Sequence, residues 1–207
     1  WQDFFVTSLS WQKLRDPFSK IHPMAVLLTV DGCSAEALQS ALEPVLTDAM
    51  AAGEIIDVVI AQSQQQSRAL WKIREATAEL SVHMHPPINF DVSLPLAEIG
   101  RFAQDCRAAL SEQWSGHQTI FFGHVADGNL HISTDGSTVA QALHDVESLV
   151  YGLVESYGGR VSAEHGIGLH KKPYLSASRT AAELEVMRAI KRALDPAGIM
   201  NPGKVFD

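Results

Sequence analysis

Histidines and carboxylates concentrate in two short runs of this 207-residue chain, GHVADGNLHI at 123–132 and SAEHGIGLHKKPYL at 162–175. His124 and His131 stand seven positions apart in the first run, and Glu164 and His165 are neighbours in the second. On a straight strand that odd spacing would put the two imidazoles on opposite faces, about 23 Å apart at ~3.3 Å per residue. A helix would separate their backbones by about 10 Å along its axis. Between them, however, lies Ala126-Asp127-Gly128-Asn129, whose Asp-Gly pair is a turn signal flanked by strand-like apolar residues. A turn there folds His124 back towards His131. If the 162–165 segment is extended, Glu164 and His165 point to opposite sides, so one can hold a metal while the other addresses a substrate.

Two imidazoles and a carboxylate form a ligand set for Zn²⁺ that leaves a position open for water or substrate. The same set serves Mn²⁺ or Fe²⁺. Spacing alone also admits an ordinary polar loop, a metal-dependent hydrolase or a non-catalytic metal-binding module. The chain does lack the H-E-x-x-H helix of many hydrolytic zinc sites.

The elements that must position these residues follow from the apolar pattern. Residues 1–20 are rich in aromatics without a clear period and read as a lead-in. Apolar runs at 24–30 and 55–61 read as buried strands. Between them Ser34 caps a helix carrying Leu38, Leu42, Val45, Leu46 and Ala49, which Gly53 closes. A long helix from about residue 63 to 82 contains Arg74. Ile88, Phe90, Val92 and Leu94 alternate with polar residues, the pattern of a half-buried strand. Pro95 then opens a helix with Leu96, Ile99, Phe102, Ala103, Cys106 and Leu110 on its inner face. Strands at 118–124 and 129–134 flank the Asp-Gly turn. Ser137 caps a further helix striped by Val139, Leu143, Val146, Val150 and Leu153, which stops at Gly158-Gly159. A last helix spans about 179–194, followed by the turn Asn201-Pro202-Gly203-Lys204. This order predicts an α+β fold, a largely antiparallel sheet covered by helices, with a C-terminal helical tail. No glycine-rich dinucleotide or nucleotide phosphate motif is present in the sequence.

Hydrophobic residues make up 46% of the chain and charged residues 19%, the composition of a globular protein with a substantial core. A net charge of −8 argues against nucleic acid or an anionic membrane surface as the main partner. An anionic substrate would need a local positive site. Cys33 and Cys106 do not make a disulfide framework, which points to a reducing cytoplasm. No apolar run approaches the roughly 18 residues of a membrane span, and no signal sequence is visible. The first residue, Trp1, marks the chain as a piece of something longer.

GHVADGNLHI, SAEHGIGLHKKPYL and the terminal DPAGIMNPGKVF resemble the three motifs of the C-terminal, substrate-binding half of FAD-linked 2-hydroxy-acid dehydrogenases. That group, within the vanillyl-alcohol-oxidase-like superfamily, contains D-lactate dehydrogenases, the glycolate oxidase flavin subunit and D-2-hydroxyglutarate dehydrogenase. The resemblance runs through essentially the whole chain. It implies a ferredoxin-like antiparallel cap over residues 1–170 and a helical segment, 171–207, that packs on an upstream FAD-binding domain.

By the same resemblance His124, His131 and Glu164 are metal ligands, and His165 is the general base. Arg74 clamps the substrate carboxylate, a task suited to a planar bidentate donor. Asn89 stands where the family often has a lysine that binds a second carboxylate, which points to monocarboxylic substrates. Asn201 and Lys204 meet the flavin or its domain, and an electron-accepting partner such as a quinone or an electron-transfer flavoprotein is implied. The resulting location is cytoplasmic, with peripheral attachment to a membrane open to it. Ala126 departs from the family's usual glycine, so a backbone angle open only to glycine is in question there.

Overall fold

The computed structural model of the chain describes residues 1–84, 86–135 and 140–206. Ser137 and Val139, named above, lie outside the described residues. The chain divides into two compact units, Trp1–Glu79 and Leu80–Asp207.

The first unit holds three α-helices, α1 (Gln2–Gln12), α2 (Ala35–Ala51) and α3 (Gln64–Glu75), followed by the 3₁₀ turn Ala76–Glu79. The aromatic lead-in is therefore helical. Ser34 caps α2 by accepting from the Ala37 N–H, and Ser63 caps α3 by accepting from the Gln66 N–H. Gly53, at φ 74°, supplies the left-handed turn that ends α2. Phe4 of α1, Ile73 of α3 and Ala76 are the buried apolar residues, and Gln12 bonds Glu79 at 3.0 Å.

Segments 24–30 and 55–61 depart from expectation, since neither enters a sheet among the described residues. Val26, Leu28, Val30, Ile56 and Val59 are exposed along them. An apolar run becomes a strand only where another strand completes its ladder, and composition does not supply the partner.

The second unit begins with the single turn α4 (Leu80–His83), so the long helix expected to residue 82 is broken by the 3₁₀ turn. Strand β1 (Pro87–Ser93), helix α5 (Ile99–Gln113), strands β2 (Thr119–Phe122) and β3 (Asn129–Asp135), and helix α6 (Ala140–Ser156) follow. The sheet order is β1-β3-β2 and both pairings are antiparallel. After α6 the chain returns to the free edge of β1 as an antiparallel bridge, Ser93 to Arg160. This is the ferredoxin-like β-α-β-β-α-β plan with its last strand reduced to a bridge. The α+β, antiparallel expectation is met.

One sheet face makes the core. Ile88, Phe90 and Val92 of β1 share it with Leu130 and Ile132 of β3 and Phe121 of β2. Phe90 meets Tyr151 of α6 edge-on at 5.3 Å, and Arg107 of α5 lies over Phe121 at 4.9 Å. Ile99, Phe102, Ala103, Cys106 and Leu110 are the buried stripe of α5, as the spacing predicts. On α6 the buried stripe is Val146, Val150, Tyr151 and Val154, so Leu143 and Leu153 lie off it. The helix is turned slightly from the predicted face because Tyr151 takes the position over Phe90.

Helix α7 (Ala181–Leu194) starts with a reciprocal capping box between Thr180 and Glu183. Asp195 ends it by accepting from the Ile199 and Met200 N–H groups at 2.9 and 3.0 Å. No helix is long and apolar enough to cross a membrane among the described residues.

Candidate functional site

The opposite face of the sheet carries the candidate site residues. Antiparallel register sets Asn89 opposite Ser133, Asp91 opposite His131, and Ser93 opposite Asn129, while Phe122 of β2 flanks His131. Directly paired residues project to the same side, so these rows form a polar strip down β1 and β3.

The 123–129 turn brings His124 back to this strip as the Asp-Gly pair predicts. Residues Val125–Asp127 form one 3₁₀ turn, Gly128 takes φ 70°, and the Asn129 N–H closes onto the His124 carbonyl at 3.2 Å. Two glycines make this possible. A Cβ on Gly123 would sit 2.3 Å from the Asn129 carbonyl oxygen, and one on Gly128 would sit 2.6 Å from that of Leu94. Ala126 lies within the right-handed turn, so its departure from glycine costs no strain.

Glu164 completes the group. Its Oε1 lies 2.9 Å from His124 Nδ1 and its Oε2 lies 3.7 Å from His131 Nε2. One ligand atom from each of the three residues falls within 4.8 Å of the others. Desolvation works to raise the Glu164 carboxyl, but hydrogen bonds from Asn129 and His124, with the field of both imidazoles, hold it below the usual range. Two neutral imidazole nitrogens and an ionised carboxylate at this separation fit a divalent cation.

The loop bearing Glu164 and His165 is a series of bends rather than a strand. What fixes it is Asp91, which is 2% exposed. Its carboxylate accepts from the backbone N–H of Glu164 at 3.1 Å and of His165 at 2.8 Å, from Ser162 Oγ at 3.0 Å and from Lys171 Nζ at 3.1 Å. Burial alone would raise its pKa. The His165 N–H, Lys171 and the Glu164 N–H outweigh that and bring it down to about 2. One carboxylate thus clamps two adjacent peptide groups and sends their side chains to different neighbours.

The His165 side chain turns to His131 and Asp91. Its ring stacks on that of His131 at 5.5 Å and 24°, and its Nδ1 faces Asp91 Oδ2 at 3.9 Å. Asp91, His131 and His165 also come within ligating distance of one another. The Asp91 oxygens are already spent on four donors, so the set containing His124 and Glu164 is the better cation site.

Asp91, Lys171, Ser162 and Asn129 were not reached from the sequence. An aspartate is unfavourable within a strand, so Asp91 amid Ile88, Phe90, Val92 and Leu94 was a signal that alternation alone passes over.

The family described as "FAD linked oxidases, C-terminal domain" matches residues 1–205. The chain belongs to that family. It is 36% identical over 196 residues to a D-2-hydroxyglutarate dehydrogenase of Stutzerimonas stutzeri, covering 92% of this chain and 42% of that protein. To the mitochondrial D-2-hydroxyglutarate dehydrogenase of Danio rerio it is 33% identical, over 94% of this chain and 36% of that one. A putative mitochondrial D-lactate dehydrogenase of Schizosaccharomyces pombe is 31% identical, over 91% of this chain and 38% of that protein. The chain therefore spans about two fifths of the length of these relatives.

The remaining expected residues are placed as follows. Asn89 sits beside the Asp91–His131 row and accepts a hydrogen bond from Ser133 Oγ. Asn201 and Lys204 form the terminal turn of this FAD-linked oxidase domain, with the Lys204 N–H on the Asn201 carbonyl at 3.2 Å. That turn is tied back to the 162–172 segment, Val205 N–H to Gly168 O at 2.9 Å and Lys172 Nζ to Gly203 O at 3.1 Å. Arg74 is half-buried in the last turn of α3, in the first unit.

Proposed function

We propose that this chain is the substrate- and metal-binding part of an FAD-dependent dehydrogenase that oxidises a D-2-hydroxy acid to the 2-oxo acid. The observation that carries the reading is the convergence of His124, His131 and Glu164 on one point, with His165 stacked beside them. A divalent ion held by those three, Zn²⁺ first and Mn²⁺ or Fe²⁺ as alternatives, supplies Lewis acidity that lowers the pKa of a bound hydroxyl. FAD, held mainly by the portion of the relatives outside this span and met here by Asn201 and Lys204, supplies the two-electron acceptor.

The residues of this chain do the positioning and the proton transfer. His165 takes the proton from the substrate hydroxyl, its ring set by the stack on His131 and by Asp91, whose Oδ2 faces its Nδ1 at 3.9 Å. Arg74 clamps the carboxylate next to the reacting carbon. At one end of the strip Asn89 and Ser133 offer uncharged hydrogen bonds. Residues 171–207 form the tail that packs on the FAD-binding domain. Val186, Ile190 and Leu194, exposed at helical spacing on α7, support that docking. A separate electron acceptor, such as a quinone or an electron-transfer flavoprotein, would be the further partner of the FAD-bearing protein.

The test is the visible spectrum of the complete protein with and without D-2-hydroxy acids. Bleaching of the flavin bands on mixing is expected. Flavin bands unmoved by a panel of such acids would contradict the reading.

A further inference from the structure

Two ligand triads overlap at His131. One is His124, His131 and Glu164, and the other is Asp91, His131 and His165; in each, one ligand atom per residue falls within 4.8 Å of the other two. Distance alone does not choose between them, yet the choice decides the chemistry. An ion in the first leaves the His165 imidazole free, whereas an ion in the second ties it up as a ligand.

What stands in the second triad is Lys171. Its side chain is 12% exposed, and its Nζ donates to Asp91 Oδ2 at 3.1 Å, to the Asp91 carbonyl at 3.1 Å and to Ser162 Oγ at 3.2 Å. An ammonium has three N–H donors, and each one here has an acceptor. Local structure aims it. Gly166 and Gly168, at φ 80° and 57°, reverse the chain after His165, and the Lys171 N–H returns to the Ile167 carbonyl at 3.2 Å.

Of the four donors to the Asp91 carboxylate, the Glu164 and His165 N–H groups and the Ser162 hydroxyl are uncharged, and only Lys171 brings a full positive charge. Asp91 is 2% exposed, and an ionised carboxylate so deeply buried needs a cation beside it. A divalent ion would meet that need through the same oxygen. His165 Nδ1 already stands 3.9 Å from Asp91 Oδ2. The ammonium and a metal are therefore rivals for one carboxylate oxygen.

We propose that Lys171 selects the cation position: its ammonium fills the Asp91 side of the second triad, so a divalent ion goes to His124, His131 and Glu164, and His165 stays free to act as the base. Lys171 is then a positioning residue, which acts through Asp91 and touches neither ion nor substrate. The inference rests on the proposed metal site and adds what keeps the metal off His165. With Lys171 gone, the buried Asp91 charge is left to a divalent ion, and His165 becomes a ligand to it.

The experiment is calorimetric titration of Zn²⁺ into the metal-free complete protein, in a Glu164→Ala background that disables the first triad. Glu164→Ala alone should bind Zn²⁺ more weakly than wild type by at least the roughly 10- to 100-fold that even a lost outer partner costs. Adding Lys171→Met should restore about tenfold or more of that affinity, and adding His165→Ala to the pair should remove the gain again. Lys171→Arg in the same background keeps the charge and should leave binding weak. If the Lys171→Met protein melts early, Lys171→Gln, which keeps a hydrogen bond to Asp91 and removes the charge, takes its place with the same expected direction.

A Glu164→Ala, Lys171→Met protein that binds no better than Glu164→Ala, or a gain that survives His165→Ala or is matched by Lys171→Arg, overturns the role of Lys171 and leaves the first triad standing. A wild type that takes up no Zn²⁺, or one whose affinity Glu164→Ala leaves unchanged, overturns the triad and the selection together.

Discussion

The two faces of the β1-β3-β2 sheet are buried by different physics. On one, Phe90, Val92, Phe121, Leu130 and Ile132 are 2% exposed or less beneath α5 and α6. On the other, Asp91, Asn129 and Ser133 are equally inaccessible. Apolar burial is non-directional, so many side chains of suitable volume would serve. Polar burial is tolerable only where each atom meets a partner, and Asp91 meets four donors within 3.1 Å. The first face should therefore forgive substitutions that keep volume, and the second should not forgive substitutions that keep shape.

Phe90→Ala on the core face should cost the most stability, about 3 to 5 kcal/mol. Phe90→Leu should cost much less. Chemical denaturation of the complete protein measures both. Equal losses would mean that Phe90 is held by a specific contact rather than by volume.

Asp91→Asn is the matching change on the polar face, nearly isosteric yet damaging. It leaves Lys171, 12% exposed, without its counter-charge, at a cost of roughly 3 kcal/mol, and loosens the Glu164–His165 loop. The wild-type carboxyl, lowered from 3.8 to about 2, favours the folded state wherever it is ionised. That contribution is full above the unfolded value and is lost as pH falls through the folded one, roughly 2 kcal/mol between about pH 4 and pH 2. Asn at position 91 should flatten that acid limb in pH-dependent denaturation. An unchanged limb would show that another acid controls it.

A smaller effect is expected away from both faces. Thr180→Ala removes one half of the α7 capping box and should cost about 1 kcal/mol. Hydrogen exchange should report it in the first turn of α7 and leave β1 and β3 unaffected.

The same contrast explains how much was legible in the sequence. Alternation at Ile88, Phe90 and Val92 and the stripe from Ile99 to Leu110 gave the core face, because side-chain period follows backbone geometry. The Asp-Gly turn and the capping serine at 34 were local signals, and both are realised. His124, His131, Glu164 and His165 were singled out by type and spacing, and they come together in the structure. Asp91 and Lys171 were not, since their meaning comes from strand register and loop return, which bring residues up to 80 positions apart into contact. The apolar runs at 24–30 and 55–61 failed the other way, their composition being strand-like while no ladder partner is present among the described residues.

The adjacent Glu164 and His165 are proposed to split two duties, and a single paired measurement tests that division. In the complete protein, Glu164→Ala and His165→Ala are compared by elemental analysis of bound metal and by flavin-reduction kinetics. Glu164→Ala should lose metal on dialysis and recover activity only with added ion. His165→Ala should keep its metal and lose turnover by about 10²- to 10⁴-fold. A His165→Ala protein stripped of metal beside a Glu164→Ala protein that retains it would contradict the assignment of ligand and base.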